Sequence, residues 1–262
     1  VSIITLTTDL GTKDNYLALV KAYILKNSGI SQIIDISNEI DKYNIQQAAY
    51  IFGNAFEQFP EGSIHLLAVK STNTDNKNSL LISVNGQYIF CPDNGLFSLF
   101  SEGTNAEVHV LKNSLFPPTT FYVRDTLAKA ALAFATDKNA EAIADKTNQY
   151  LQALSFQPTF SGDSIVGKCV YIDSYGNVVT NIKKDFFEAS RRNRRFVIHL
   201  PNIRIDEIAE NYDDVAATDA LALFNSAGHL EIAINRGAAR QLLFPRNMHT
   251  HTDFNITIEF NE

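Results

Sequence analysis

The stretch IITLTTDLGTKDNYLALVKAYILKNS, Ile3–Ser28, decides the fold class. Ile3–Thr8 is apolar and β-branched, the composition of a buried strand. After Thr8-Asp9-Leu10-Gly11, the segment Asp14–Ser28 places Tyr16, Leu17, Val20, Ala22, Tyr23 and Leu25 at helical spacing. A strand that feeds a helix is half of a parallel βαβ unit. Moving outward, Gln32–Asp35 reads as a second strand, Ile45–Phe56 as a second helix and Ser63–Val69 as a third strand after the turn Pro60-Glu61-Gly62. Leu80–Val84 and Gln87–Phe90 flank Asn85-Gly86, a hairpin signal. Gly95–Phe100 and Ala128–Thr136 are further helical pieces. The expectation is an α/β N-terminal domain over residues 1–157, a mostly parallel sheet with helices on both faces.

The texture changes after Gln157. Ser164–Tyr171, Val178–Ile182, Phe196–Leu200, Ala220–Phe224, Leu230–Ile234 and Phe254–Phe260 are short β-rich runs, with helical periodicity nearly absent. They predict an all-β, barrel-like C-terminal domain over 163–262. The boundary falls in Gln157–Asp163, which carries a Pro, a Gly and polar residues. Arg191–Arg195 is a local basic spot that reads as a solvated turn, with anion binding as the minority alternative.

At 262 residues, 45% apolar and 19% charged, the chain is globular rather than disordered. No apolar run approaches a membrane span, and the opening residues lead to no expectation of an export signal. A formal net charge of -7 speaks against nucleic acid and anionic membrane as partners and favours a small molecule or another protein. The two cysteines, Cys91 and Cys169, and the six histidines form no metal-ligand spacing, so no metal site is expected. Both thiols are expected in buried strands and the compartment reads as reducing cytoplasm.

Six segments carry candidate chemistry, the first four weighed against a structural alternative. Asp9 follows the first strand, where a carboxylate can accept hydrogen bonds from ribose hydroxyls, hold a metal or simply cap the next helix. No G-x-G-x-x-G or Walker-A pattern follows it. Pro92-Asp93-Asn94-Gly95 is turn chemistry at the end of another strand. Thr120-Phe121-Tyr122-Val123-Arg124-Asp125 opens a helix. Asp173 and Asn177 surround a glycine turn that can grip an ammonium and a carboxylate together, or serve as a plain hairpin. Asn225-Ser226-Ala227-Gly228 and Asn235-Arg236-Gly237 bracket one strand, with small residues that admit a flat base.

In this order and spacing, over nearly the whole chain, these segments resemble the S-adenosylmethionine (SAM) hydroxide adenosyltransferases and the related SAM-dependent chlorinases and fluorinases. Asp14, Tyr16, Asp35-Ile36-Ser37, Phe59-Pro60-Glu61-Gly62 and Thr180-Asn181-Ile182 join the match. The resemblance implies a homotrimer with SAM held between one subunit's N-terminal domain and its neighbour's C-terminal domain. The reaction it implies is displacement of L-methionine from the ribose C5′ by hydroxide or halide, with SAM as substrate or ligand and no cofactor. Carried over by position, Asp9 would hold the ribose, and Tyr43, Phe121 and Tyr212 would supply aromatic surface. Asp173, Asn177 and Ser226 would grip the methionine end or adenine edge, and the backbone at Arg236 would read the adenine.

The nucleophile side departs from the pattern. The hydroxide enzymes' Val-Asp-Pro-Gly-Val-Gly reads Val69-Lys70-Ser71-Thr72-Asn73-Thr74 here, the Arg that follows becomes Lys77 or Asn78, and the His of Thr-Phe-His-Gly-Arg-Asp becomes Tyr122. Tyr122 is halogenase-like, but Val123 replaces the small residue of the halide pocket and the long fluorinase insertion is absent. Any catalysis falls to a divergent set of Lys70, Asn73, Thr120 and Tyr122, with weak or altered activity expected. The alternative is an inactive trimeric binder of SAM, adenosine or a related nucleoside.

Overall fold

The computed structural model describes residues 3–29, 32–70, 78–101, 103–243 and 254–261, which fall into two compact units, Val1–Leu154 and Ser155–Glu262. The division lies three residues before Gln157.

The N-terminal unit contains β1 (Ile3–Thr8), α1 (Tyr16–Asn27), β2 (Gln32–Ser37), α2 (Ile45–Gly53), β3 (Ile64–Ala68), β4 (Ser79–Val84), β5 (Gln87–Pro92), β6 (Glu107–Leu111), α3 (Lys129–Asp137), α4 (Ala140–Ile143) and β7 (Ala144–Lys146). The strands form one sheet in the order β2-β1-β3-β5-β4-β6-β7. Pairings are parallel from β2 to β5 and antiparallel from β5 to β7. Strand periodicity of two divides the core. Ile4, Leu6, Leu66, Leu81 and Phe90 face α1 and α3, whereas Leu67, Leu80, Ile82, Ile89 and Cys91 face α2. On the α2 side His65 is fully buried, bonded to Thr5 Oγ1 at 2.7 Å and to Gln87 Oε1 at 2.6 Å. It thereby ties β3 to both neighbours.

The hairpin at Asn85-Gly86 forms as the sequence predicts, with both residues at positive φ. The helix expected from Ala128 begins earlier, as a wide π turn over Val123–Ala128 that runs into α3. β6 and β7 were not expected. β7 is three residues long, too short to show a period.

The C-terminal unit contains β8 (Thr159–Ser161), β9 (Ser164–Ile172), β10 (Val178–Lys183), α5 (Lys184–Arg191), β11 (Arg195–His199), β12 (Arg204–Ile205), β13 (Ala220–Phe224), β14 (His229–Ile234), α6 (Ala239–Leu243) and β15 (Asn255–Asn261). The order is β12-β11-β15-β9-β10-β14-β13, with β8 added against β9 and every pair antiparallel, in a barrel-like sheet. α5 shows why periodicity underestimates helix here. Eight residues leave room for one core anchor, Phe187, which is fully buried against the rings of Phe196, Phe224 and Phe260. The basic spot is the end of this helix. Arg192 caps it in the left-handed region, and Arg194 is spent on Asp163 at 2.5 Å. Cations at a helix C-terminus are favoured by its dipole.

Candidate functional site

The chain runs from β1 outward to β2, then crosses back over β1 to β3. The reversal makes the carboxyl ends of β1 and β3 a topological switch point, where open α/β sheets bind ligands. Asp9 follows β1 there and Lys70 stands two residues past β3.

Asp9 is held by backbone. Its Oδ2 accepts the N–H of Tyr43 at 3.0 Å and of Lys70 at 3.2 Å, while Oδ1 accepts no hydrogen bond among the described residues. Both donors sit in the left-handed region, Tyr43 at φ 67 and Lys70 at φ 51. Non-glycine residues rarely hold this conformation, and it gathers at functional sites. The Lys42 ammonium donates to the Asp9 carbonyl. Buried Asn38 anchors the same turn, accepting from Thr8 Oγ1 through Oδ1 and from Gly11 N through its carbonyl. Tyr43, whose N–H makes one of these bonds, is 64% exposed. The Lys70 side chain is exposed and makes no ion pair among the described residues.

Tyr122 differs. It starts the turn leading into α3, is 7% exposed, and its hydroxyl shares a 2.6 Å hydrogen bond with Ser79 Oγ at the start of β4. Ser79 pairs with Pro92, so this contact lies at the same end of the sheet as Asp9. Burial pushes the phenol's pKa well above its ordinary value, which makes Tyr122 a neutral O–H and no base near pH 7. Thr120 is exposed. Phe121 meets Tyr16 edge-on at 5.5 Å and lies beneath the Arg124 guanidinium at 4.6 Å. Arg124 is in turn paired with Asp125 through two hydrogen bonds of 2.6 and 3.0 Å. Asn73 lies outside the described residues.

In the C-terminal unit the register separates the candidates. The turn Asp173–Asn177 closes β9 and β10 where Val178 faces Ile232, and Arg236 follows β14 at that same end. Asp173 Oδ1 accepts from the N–H groups of Tyr175 and Asn177, and Oδ2 from the Asn177 amide. The turn is packed down by Gly176. A Cβ there would stand 2.7 Å from Ala238, and its φ of +82° suits glycine alone. Tyr175, which the sequence reading left out of its site set, is 79% exposed on this turn. Ser226 lies at the other end of the β10–β14 ladder, where Lys183 faces His229. Beside it Asn225 donates to buried Glu231 at 3.1 Å, and the Tyr212 hydroxyl donates to the same carboxylate at 2.7 Å. The five candidates thus form two groups, Asp173, Asn177 and Arg236 at one end and Tyr212 with Ser226 toward the other. Spacing along the chain carries no sign of this division.

Both cysteines are free and buried, and burial raises each thiol's pKa, that of Cys169 to about 12. They are packing residues rather than nucleophiles. A cleft of about 730 Å³ in the N-terminal unit is lined by the β4–β5 turn, β6 and residues 146–150, and includes none of the candidates. No described helix is long and apolar enough to cross a membrane.

Comparison with known proteins places the chain. Residues 4–144 match the SAM hydroxide adenosyltransferase N-terminal domain and residues 167–247 the C-terminal domain of the same family. The chain belongs to the SAM hydroxide adenosyltransferase family. It is 29% identical over 253 residues to an (R)-S-adenosyl-L-methionine hydrolase of Methanocaldococcus jannaschii, covering 92% of this chain and 91% of that protein. It is 23% identical over 289 residues to a fluorinase of Actinopolyspora mzabensis, covering 94% of each. A crystal structure of a conserved protein from Thermotoga maritima superposes with a TM-score of 0.85 at 27% identity, covering 98% of this chain and 99% of that one.

Proposed function

We propose that the protein binds SAM through its adenosyl group at the Asp9 end of the N-terminal sheet and releases L-methionine from C5′ slowly, without a dedicated base. The observation that carries this reading is the Asp9 carboxylate. One oxygen is fixed by two backbone N–H groups and the other is left to accept from vicinal ribose hydroxyls. A charged acceptor to two hydroxyls makes the stronger kind of hydrogen bond. The exposed Tyr43 ring offers a face for the ligand.

In the chemical step a water oxygen attacks C5′ in line with the C5′–S bond. That bond breaks with its electron pair on sulfur, giving the neutral thioether of L-methionine, and the water's proton passes to solvent. Tyr122 stays protonated throughout, so general-base assistance, commonly worth 10²- to 10⁴-fold, is missing from this position.

A second reading, a holder of SAM, adenosine or a related nucleoside without turnover, is favoured by the closed Tyr122–Ser79 contact. Family membership supports a homotrimer for either. The test is overnight incubation with SAM, with and without chloride, read by mass spectrometry against denatured protein. Adenosine or 5′-chloroadenosine above that control makes the protein an enzyme and names its nucleophile. Calorimetric binding without product makes it a holder. Neither product nor binding rejects both.

A further inference from the structure

Asn94 is 8% exposed and lies two residues past β5, at its carboxyl end. Its amide nitrogen donates to the carbonyls of Val69 at 2.9 Å and Lys70 at 3.1 Å. Its amide oxygen accepts from Leu96 N at 3.1 Å, an Asx turn that fixes the side chain's own direction. The next residue, Gly95, has a φ of +89°, and a Cβ on it would stand 2.9 Å from Ala153 Cβ. The backbone under Asn94 is therefore set by a position that only glycine fills.

These bonds fall on the peptide groups either side of the Lys70 α-carbon bonds, where the chain turns left-handed. Lysine has no preference for that conformation, and among the described residues its own side chain makes no bond that would impose it. The Val69–Lys70 peptide, whose carbonyl Asn94 holds, is the one whose N–H donates to Asp9 Oδ2. Resting on the adenosyl reading above, we infer that Asn94 is a positioning residue for the ribose carboxylate. It clamps the Val69–Lys70 peptide plane and the turn that follows, the Lys70 N–H of that plane then fixes one Asp9 oxygen, and the other is left for the ligand.

The test uses the full-length protein and Asn94→Ala, with Asn94→Asp as an isosteric second variant that puts oxygens against the two carbonyls. Adenosine and 2′,3′-dideoxyadenosine are the calorimetric probes, and amide hydrogen exchange at Lys70 is read without ligand. The expected result is an about tenfold loss for adenosine, little change for the dideoxy probe, and faster exchange at Lys70 while Leu66 in β3 keeps its protection. Equal losses for the two nucleosides, or a Lys70 amide as protected as in the parent, would overturn the inference. If the parent binds neither nucleoside, the adenosyl reading fails by itself, and the exchange measurement still decides whether Asn94 clamps Lys70.

Discussion

Two polar groups at the same end of the N-terminal sheet are finished differently. Asp9 keeps one carboxylate oxygen open among the described residues and takes a hydrogen bond from the backbone of an exposed tyrosine. Tyr122 and Ser79 satisfy each other inside the protein. A binding group must hold unspent hydrogen-bonding capacity at the surface, because the ligand supplies the missing partner. A hydroxyl already bonded and buried has no capacity left for a ligand while that bond stays closed. On the proposed function, the contrast separates holding a nucleoside from activating a nucleophile, and it follows the departures at Lys70 and Tyr122.

The largest effect is expected at Lys70, whose N–H meets Asp9. An ammonium about 4 Å from a sulfonium costs about 4 kcal/mol at an effective dielectric of 20. Lys70→Asp removes this, and aspartate tolerates the left-handed backbone better than lysine. SAM affinity should rise at least about tenfold relative to adenosine, whose neutral C5′ end feels no such field. An unchanged ratio in calorimetry would place the ammonium away from the sulfur.

Next comes the frame beneath both regions. His65 joins Thr5 of β1 to Gln87 of β5, and burial lowers its pKa to about 4 against the hydrogen bond it donates to Gln87 Oε1, which raises it. Between about pH 6.5 and 4 the unfolded chain binds a proton that the folded chain refuses, so stability rises with pH across that window. At about 1.4 kcal/mol per pKa unit, His65 contributes roughly 3 kcal/mol above the window that is lost on descending through it. His229, lowered to about 4 by burial and then by Lys183, adds in the same direction. Urea midpoints at a series of pH values should fall steeply below pH 6.5, and less steeply in His65→Gln. Parallel slopes would acquit His65.

Asp9→Ala sharpens the binding half directly. It removes charged hydrogen bonds to the ribose and should cost about 1.5–3 kcal/mol of nucleoside affinity. Protein stability should move less, since Tyr43 and Lys70 are exposed and water can take over their N–H groups. Unchanged affinity would remove Asp9 from the site.

What could be read in the sequence follows from how local each cause is. The β-branched run Ile3–Thr8 and the residue after it are local, so both the strand and Asp9 were legible. The left-handed turns at Tyr43 and Lys70 were not, because neither residue type favours them and the bonds that impose them come from Asp9 and Asn94, 24 to 61 positions away. Ser79 was invisible for the same reason, its partner being 43 residues on. Ser226 and Asp173 each lie in a recognisable turn, but only strand register shows that the turns cap opposite ends of a ladder.

The smallest expected effect tests the other half of the contrast. Tyr122→Phe removes one hydroxyl from a buried pair and leaves Ser79 Oγ, itself buried, without its partner. That should cost on the order of 1–2 kcal/mol of stability, the price of an unmet hydrogen bond. If the hydroxyl only braces the wall, any product formation from SAM should survive within about threefold, because the ring still fills its place and no proton passes through it. A drop of about 100-fold, the scale of lost general acid–base assistance, would mean that the pair opens when ligand binds. The line between the holding and the activating regions would then have to be redrawn, with Tyr122 on the side of the chemistry.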